Sequence, residues 1–410
     1  MFKKVLKNTF FQLIGKATTG VTTLVITIII GRALGPAGYG DFTKIFVFVG
    51  YFYIFADFGL NAVFIKLTQK EGEEQLLKYL IGLRIAGALV LAVIASSVAI
   101  LLPYNPSTHL GFSPLVKAGI ILASLTILTQ ALVNSANAIF QKRLRYDFQT
   151  LTYVCGSIVI LATIFLAAAL KLGLLFYIIA YILQGIVFVI VAHISIKKYL
   201  KLNLVPLFSR IQFIKLLKYS SPIGLAMAFH LVYFRVDVLI LSYTRPAAEI
   251  GLYGLAYQFF EAGLTVPFFL VNSIYPHITR LYTFNKRQFN KETKLWVIRL
   301  FLFSLAITAI LYLVSGLIPT IYDKRFSGST LALQILGFSM PFFFISVLLW
   351  HILIIKNKQK FLAYIYLAGA VFNIIVNLIF IPTHGYLAAA ATTTVSELFV
   401  MVLLALALLI

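Results

Sequence analysis

Stretches of about twenty apolar residues recur along the whole chain, each long enough to cross a hydrocarbon core of about 30 Å as a helix. That pattern excludes most folds. With no water in a bilayer core, backbone N–H and C=O groups must pair within the chain, which leaves helices and closed barrels. Long uninterrupted apolar runs, rather than short alternating segments, select helices. Composition agrees: of 410 residues, 61% are hydrophobic and 11% charged, against about a quarter charged in soluble globular chains.

Helices are predicted near 10–31, 42–64, 79–102, 114–140, 150–170, 173–195, 219–242, 251–278, 295–318, 330–355, 361–381 and 386–410. Residues 1–7 are basic, but the apolar segment behind them runs on to Ile30 without a small-residue cleavage site, so it reads as a first membrane helix. The formal charge of +22 sits in short runs between apolar segments, not on one soluble module, which argues against nucleic acid as a partner. With the N-terminus inside, 23 of the 34 Lys and Arg residues fall in cytoplasmic segments and seven in external ones. That asymmetry predicts cytoplasmic termini for a chain that crosses its membrane many times. The single cysteine, Cys155, lies mid-segment and supports neither a disulfide nor a cysteine metal site.

The longest polar connection, residues 197–218, falls near the middle and suggests two halves, 1–200 and 201–410. Gly38-Tyr39-Gly40 and Leu252-Tyr253-Gly254 open corresponding helices at an offset of 214 residues. The basic runs that begin at Lys142 and Lys356 repeat that offset. Six helices per half is an even number, so the two halves insert the same way and form a parallel repeat, as an alternating-access carrier requires.

Ionisable residues inside the membrane are costly and carry the functional signal. Gln12, Lys16, Thr19, Thr23 and Thr27 draw one polar stripe down the first helix, at spacings of three and four. The stripe favours a water-filled cavity wall where Lys16 meets an anionic ligand; the alternative is that Lys16 reaches the headgroups and the threonines bond their own backbone. On the seventh helix His230 and Asp237 share a face, whereas Arg235 points nearly opposite to Asp237. Arg235 either faces a cavity or snorkels outward. Glu261, ten residues into its helix, is a candidate for a coupling-ion or proton site, with an interhelical pair as the equal alternative. Asp57 is expected to bond a helix terminus, with coupling as its second reading. Arg84 and Arg299 lie near the cytoplasmic surface, where snorkelling competes with a place at the mouth for an anionic headgroup. Glu397, Asn373 and Asn377 read as glue between helices.

No paired carboxylates, His cluster or phosphate-cradling glycine loop stands in an aqueous segment, and no cofactor or metal is expected. This disfavours a membrane-embedded glycosyltransferase or polymerase, and the chain is expected not to be an enzyme. No filter-like loop suggests a channel.

Gly31-Arg32-Ala33-Leu34-Gly35-Pro36-Ala37-Gly38-Tyr39-Gly40-Asp41-Phe42, followed by Asp57-Phe58-Gly59-Leu60, resembles the N-terminal signature of Wzx-type polysaccharide flippases. Asp237-Val238-Leu239-Ile240-Leu241, Glu249-Ile250-Gly251-Leu252-Tyr253-Gly254-Leu255-Ala256-Tyr257 and Tyr275-Pro276 are similar to that family's later signature. The stretch from Asn377 through Pro382 to Tyr386, with the Ala/Thr run behind it, resembles its last helix junction. The family belongs to the multidrug/oligosaccharidyl-lipid/polysaccharide (MOP) exporter superfamily. The resemblance implies an all-α membrane fold of two six-helix bundles around a central cavity. It implies movement of polyprenyl-pyrophosphate-linked oligosaccharide to the outer leaflet, for cell-surface polysaccharide or lipopolysaccharide. Implied partners are this lipid-linked glycan, membrane lipids, H+ or Na+ as coupling ion, and polymerase and glycosyltransferase enzymes. Lys16, Arg235, His230, Thr23, Arg84 and Arg299 are then the candidate substrate-binding residues, and Glu261, Asp237 and Asp57 the coupling candidates. Lipid II flippases of the superfamily commonly carry two further helices; twelve are expected here, so a polyprenyl tail is expected to stay in the bilayer. A cation-coupled multidrug exporter of the same superfamily is the alternative, weakened because the first half offers only Asp57 as an intramembrane acid.

Overall fold

The computed structural model describes residues 2–69 and 72–409, without the side chains of 2–7 and 9. Lys70, Ile410 and the basic side chains of residues 1–7, which enter the topology argument, lie outside the described residues.

The described chain is almost wholly helical. It runs α1 (Phe2–Asp57), α2 (Leu60–Leu67), α3 (Glu73–Leu101), β1 (Tyr104–Asn105), β2 (Leu110–Gly111), α4 (Pro114–Lys142), α5 (Tyr146–Ala169) and α6 (Leu174–Ser195). A π turn over Ile196–Leu200 and an extended segment lead to α7 (Arg210–Thr244), α8 (Ala247–Phe284) and α9 (Lys286–Ile321). α10 (Gly328–Gly337), α11 (Met340–Ile355) and α12 (Gln359–Leu409) complete it. β1 and β2 form one small antiparallel ribbon, Tyr104 opposite Gly111.

Among the described residues, ten helical stretches are long and apolar enough to cross a membrane. Two of them, Phe10–Leu67 with 58 residues and Gln359–Leu409 with 51, far exceed the roughly 20 that one span needs. Glycine breaks each. Gly35 takes φ 67°, ψ −179°, and Gly385 takes φ 66°, ψ −150°, a region essentially closed to residues with a Cβ. At the first break Pro36 also drives its predecessor out of the helical region. Each long stretch therefore supplies two spans, which recovers the twelve expected. A second interruption, at Phe58 (φ 44°) and Gly59 (φ 73°), separates α2 from α1.

Burial follows membrane logic. On α3 the small residues Ala88, Ala95 and Ala99 are buried, while Leu89, Val90, Val93 and Leu101 are exposed. Lipid solvates large aliphatic side chains, so helix packing is left to small residues and to polar contacts such as Ser96–Ser124 (3.1 Å). Local signals set the helix starts. Ser113 caps α4 by accepting from the Val116 N–H, with Pro114 at its first position. Glu73 and Glu74 in the first turn of α3 suit its partial positive end.

Residue contacts group the chain into two compact units. Unit 1 comprises Met1–Leu34 and Asp41–Leu231, and unit 2 Gly35–Gly40 and Val232–Ile410. This contact division falls inside α7, later than the polar connection at 200–201. The first half of α7 belongs with unit 1 because Leu216 packs in a core with Leu200 and Leu202. Gly224 also leaves room for the Phe58 ring; a Cβ there would lie 2.2 Å from it. The extended segment itself is tied down. The Leu207 N–H donates to the Lys78 carbonyl (3.0 Å), an approach that only Gly82 on α3 allows, since a Cβ there would lie 2.1 Å from the Leu207 oxygen.

Candidate functional site

In unit 1 a cavity of about 540 Å³ opens between α1, the end of α4 and the start of α5. Its wall consists of Gln12, Gly15, Lys16, Thr19, Gln141, Tyr146, Gln149, Thr150 and Tyr153. The helices can meet here because Gly15 has no side chain: a Cβ would stand 3.2 Å from the Thr150 hydroxyl, which donates to the Phe11 carbonyl (2.7 Å). Opposite, the Tyr153 hydroxyl accepts from Asn137 Nδ2 (3.0 Å) and lies 3.5 Å from Gln149 Nε2. Among the described residues Lys16 is the one cation on this wall, and no carboxylate or aliphatic side chain lines it. The nearby acid, Asp147, is held by Arg145 (2.7 Å). At Arg145 this hydrogen bond outweighs burial and raises the guanidinium's pKa. Further along the stripe, Thr23 donates to the Thr19 carbonyl (2.8 Å) and Thr27 to that of Leu24 (2.9 Å), both local backbone bonds. The cavity therefore takes only the first part of the stripe.

Arg84 departs from its sequence reading. It does not snorkel, since it is 2% exposed. Its Nη2 donates to Asp57 and Asn61, each at 2.9 Å, and Nη1 lies 3.4 Å from Ser135. The buried Nε finds no acceptor. Asp57, expected at a helix terminus, instead holds this guanidinium beside the Phe58–Gly59 break.

Unit 2 gathers most of the remaining candidates. Arg235 Nη2 meets Glu261 Oε1 at 2.6 Å, and its guanidinium lies over the Tyr257 ring at 4.7 Å. The pair is partly open, with side chains 23% and 42% exposed. Two residues on, Asp237 is buried and accepts from the Val238 N–H (2.7 Å) and the Tyr253 hydroxyl. Tyr253 also lies 3.4 Å from Thr393. Glu397, buried, accepts from Tyr233 (3.0 Å). Asn377 donates to Asn373 (2.8 Å) and Asn373 to Ser396 (3.1 Å), joining the two halves of α12 in the gluing role their spacing suggested. Arg299 is exposed with its guanidinium over Trp296 at 4.8 Å, the geometry of an interfacial anchor. His230 stands exposed on α7, on the unit 1 side of the division.

Sequence reasoning missed Gln141, Gln149 and Tyr153. They lie on helices whose polar residues looked scattered until α5 met α1. Tyr253 and Tyr257 were visible as motif residues, but nothing in one sequence assigned their hydroxyl partners. Among the described residues no group of three or more His, Cys, Asp or Glu side chains is placed to hold a metal ion.

Comparison with known proteins places this geometry. The chain shares 22% identity over 95% of its length, and 81% of the relative's, with an uncharacterized membrane protein of Methanocaldococcus jannaschii. Among solved structures it is similar to the lipid II flippase MurJ in an inward closed conformation (TM-score 0.76, 16% identity, 95% of this chain and 87% of that one). It is equally similar to an inward-facing multidrug resistance MATE family transporter of the MOP superfamily (TM-score 0.75, 13% identity, 95% and 92%). A MOP superfamily transporter from Pyrococcus furiosus, whose binding pocket is described as reversed in polarity, aligns at TM-score 0.66 and 12% identity over 99% of this chain and 94% of that one. Residues 222–379 match the MatE family, and residues 5–282, more than half of the chain, match the family described as polysaccharide biosynthesis protein. The chain thus belongs to the polysaccharide biosynthesis protein family, with the fold of the MOP superfamily transporters it aligns with.

Proposed function

We propose that this transporter is a flippase that moves polyprenyl-pyrophosphate-linked oligosaccharide from the cytoplasmic to the outer leaflet of a prokaryotic inner membrane by alternating access. One observation carries the reading: among the described residues, the unit 1 cavity is walled by polar side chains with one cation, Lys16, and no carboxylate. An ammonium on an otherwise uncharged polar wall suits a pyrophosphate that carries a sugar. A cationic drug would find no carboxylate counter-charge among the described residues of that wall. Both termini and residues 197–218 are assigned to the cytoplasm on the basic asymmetry. The polyprenyl tail stays among lipids, since Leu89, Val90 and their like already face outward.

Coupling is assigned to Asp237, with H+ or Na+ as the ion. A buried carboxylate held by a hydroxyl and a backbone N–H is costly when charged, and a cation or proton relieves it. Arg235 and His230 are assigned to the headgroup path, and polymerase and glycosyltransferase enzymes to the steps on either side.

The test is reconstitution into vesicles with two candidate cargoes, a fluorescent polyprenyl-pyrophosphate-linked oligosaccharide and a lipophilic cation. The expected result is translocation of the first only, lost in Lys16→Ala at equal protein. Translocation of the cation alone overturns the proposal and favours the multidrug reading, which the MatE match over residues 222–379 keeps as the second choice.

A further inference from the structure

We infer that the unit 1 cavity is a saccharide subsite that takes one neutral, hydroxyl- or acetamido-bearing pyranose, with the pyrophosphate left to the edge of the cavity at Lys16. The inference rests on the flippase reading and names what this cavity selects.

Phosphate oxygens accept hydrogen bonds and donate none at full charge, so a phosphate site is built from donors: guanidinium, ammonium and backbone N–H groups. This wall is built otherwise. Gln12, Gln141 and Gln149 each present an amide oxygen and an amide nitrogen side by side. Such a pair matches two vicinal hydroxyls or an acetamido group, each of which both donates and accepts. Beside a pyrophosphate the amide nitrogens would find acceptors, but the three amide oxygens would be left without a donor. The Tyr153 hydroxyl already accepts from Asn137 at 3.0 Å, so its own proton is left to donate to a ligand oxygen. The rings of Tyr146 and Tyr153 supply flat surface for the C–H face of a pyranose.

Selection of the wall residues is also unlike the chain around it. In a sequence that is 61% hydrophobic, the described residues of this wall include two tyrosines and no aliphatic side chain. A second unit 1 cavity, of about 200 Å³, is lined mostly by apolar side chains such as Leu77, Ile81, Ile85 and Leu132, with Ser135 and His193 among them. At about 540 Å³ the polar cavity falls within the range of roughly 300–1,000 Å³ found for small-ligand sites.

Thr19 provides a reporter, because it lines the cavity while its hydroxyl donates to the Gly15 and Lys16 carbonyls at 3.0 Å, not to the space inside. A Thr19→Cys variant in a Cys155→Ser background is reconstituted and labelled with a water-soluble maleimide. The probes are chitotriose, inorganic pyrophosphate and tetraphenylphosphonium, with Ser107→Cys on the β1–β2 ribbon as control. Chitotriose is expected to slow labelling of Thr19→Cys several-fold and to leave the control unchanged. Adding Gln141→Ala and Gln149→Ala should abolish that protection, whereas pyrophosphate at equal concentration should protect little. Protection by pyrophosphate and not by chitotriose would make the cavity a phosphate site, ending the saccharide assignment while leaving the flippase reading intact. Protection by neither has the same consequence. Protection by tetraphenylphosphonium alone would overturn the flippase reading as well.

Discussion

Arg84 is fully enclosed, and its charge is answered by one acid, Asp57 (2.9 Å), whose side chain is 23% exposed. Removing one partner of a buried pair leaves the other uncompensated, at about 3–5 kcal/mol. Because Asp57 keeps some access to solvent, Arg84→Met should fall at the lower end of that range. The double change Arg84→Met with Asp57→Leu should recover much of the loss, which thermal unfolding in detergent would show as a partial return of the melting temperature. The Arg235–Glu261 pair should behave differently. With side chains 23% and 42% exposed it contributes only about 0.2–1 kcal/mol, so Glu261→Gln should fold normally and free Arg235 for anions. Pyrophosphate binding by Glu261→Gln is expected to tighten by a few-fold, measured by calorimetry on the purified protein. Asp237→Asn, by contrast, should keep headgroup binding but lose accumulation driven by an ion gradient. These residues also mark what one sequence makes legible. That Arg84, Arg235, Asp237 and Glu261 matter follows from the cost of a charge in lipid. Which of them neutralise one another does not follow, because pairing across 26 or 27 positions depends on how helices rotate about their axes. Arg84 was misread for that reason: distance from the helix end suggested headgroups, but the side chain points toward α1.

At the scale of elements, the helices were legible from hydropathy and their breaks were not. Hydropathy separated the first two spans by about ten residues, 32–41, yet the helix continues through them with a single non-helical residue, Gly35. Polar residues beyond the hydrocarbon end the apolar signal without ending the helix. The breaks give a sharp pair of expectations. Gly35→Ala imposes a Cβ at φ 67°, ψ −179° and should cost about 1–3 kcal/mol. Gly20→Ala, in a helix with nothing within 4 Å of the new methyl, should be neutral or stabilise by up to about 1 kcal/mol. Melting temperatures in one detergent should separate the two, and equal shifts would mean that the break at Gly35 is not a constraint. Close approach is a second device of this scale. In unit 2 a Cβ on Gly251 would stand 2.0 Å from the Pro36 oxygen, and one on Gly40 would stand 1.8 Å from the Ala247 oxygen. The Gly-Tyr-Gly landmark that looked like a repeat signature therefore also permits backbone-to-backbone contact.

At the scale of the whole molecule, charge distribution assigns sidedness, and it does so independently of any cavity. Twenty-three of 34 basic residues lie on one side of the predicted topology. The acids predicted to be external leave little net field to compete, because Asp41, Glu249 and Asp323 each sit within 3.6 Å of a cation, at Lys44, Arg245 and Arg325. On the other side cations crowd one another. Lys356, between α11 and α12, has its ammonium pKa lowered by burial and then by Lys358, a pairing of like charges that anionic headgroups would relieve. A second basic run lies at the turn between two long helices. α8 and α9 have 38 and 36 residues, against the roughly 20 that a span needs, and both reach their basic ends at the Asn285 turn. Insertion with that turn outside would move Arg280, Lys286, Arg287, Lys291 and Lys294 across the bilayer, against the bias that orients membrane chains. In a Cys155→Ser background, single cysteines at Pro106 and Asn285 should therefore respond oppositely to an impermeant maleimide added to intact cells. Pro106→Cys, on the ribbon between β1 and β2, should label at once. Asn285→Cys should label only after the membrane is permeabilised. Because α4 to α8 separate the two positions, one reversed result would imply a missing or additional span among them, and two reversed results would invert the molecule and place the unit 1 cavity's mouth, near Gln12 and Gln141, on the outer face.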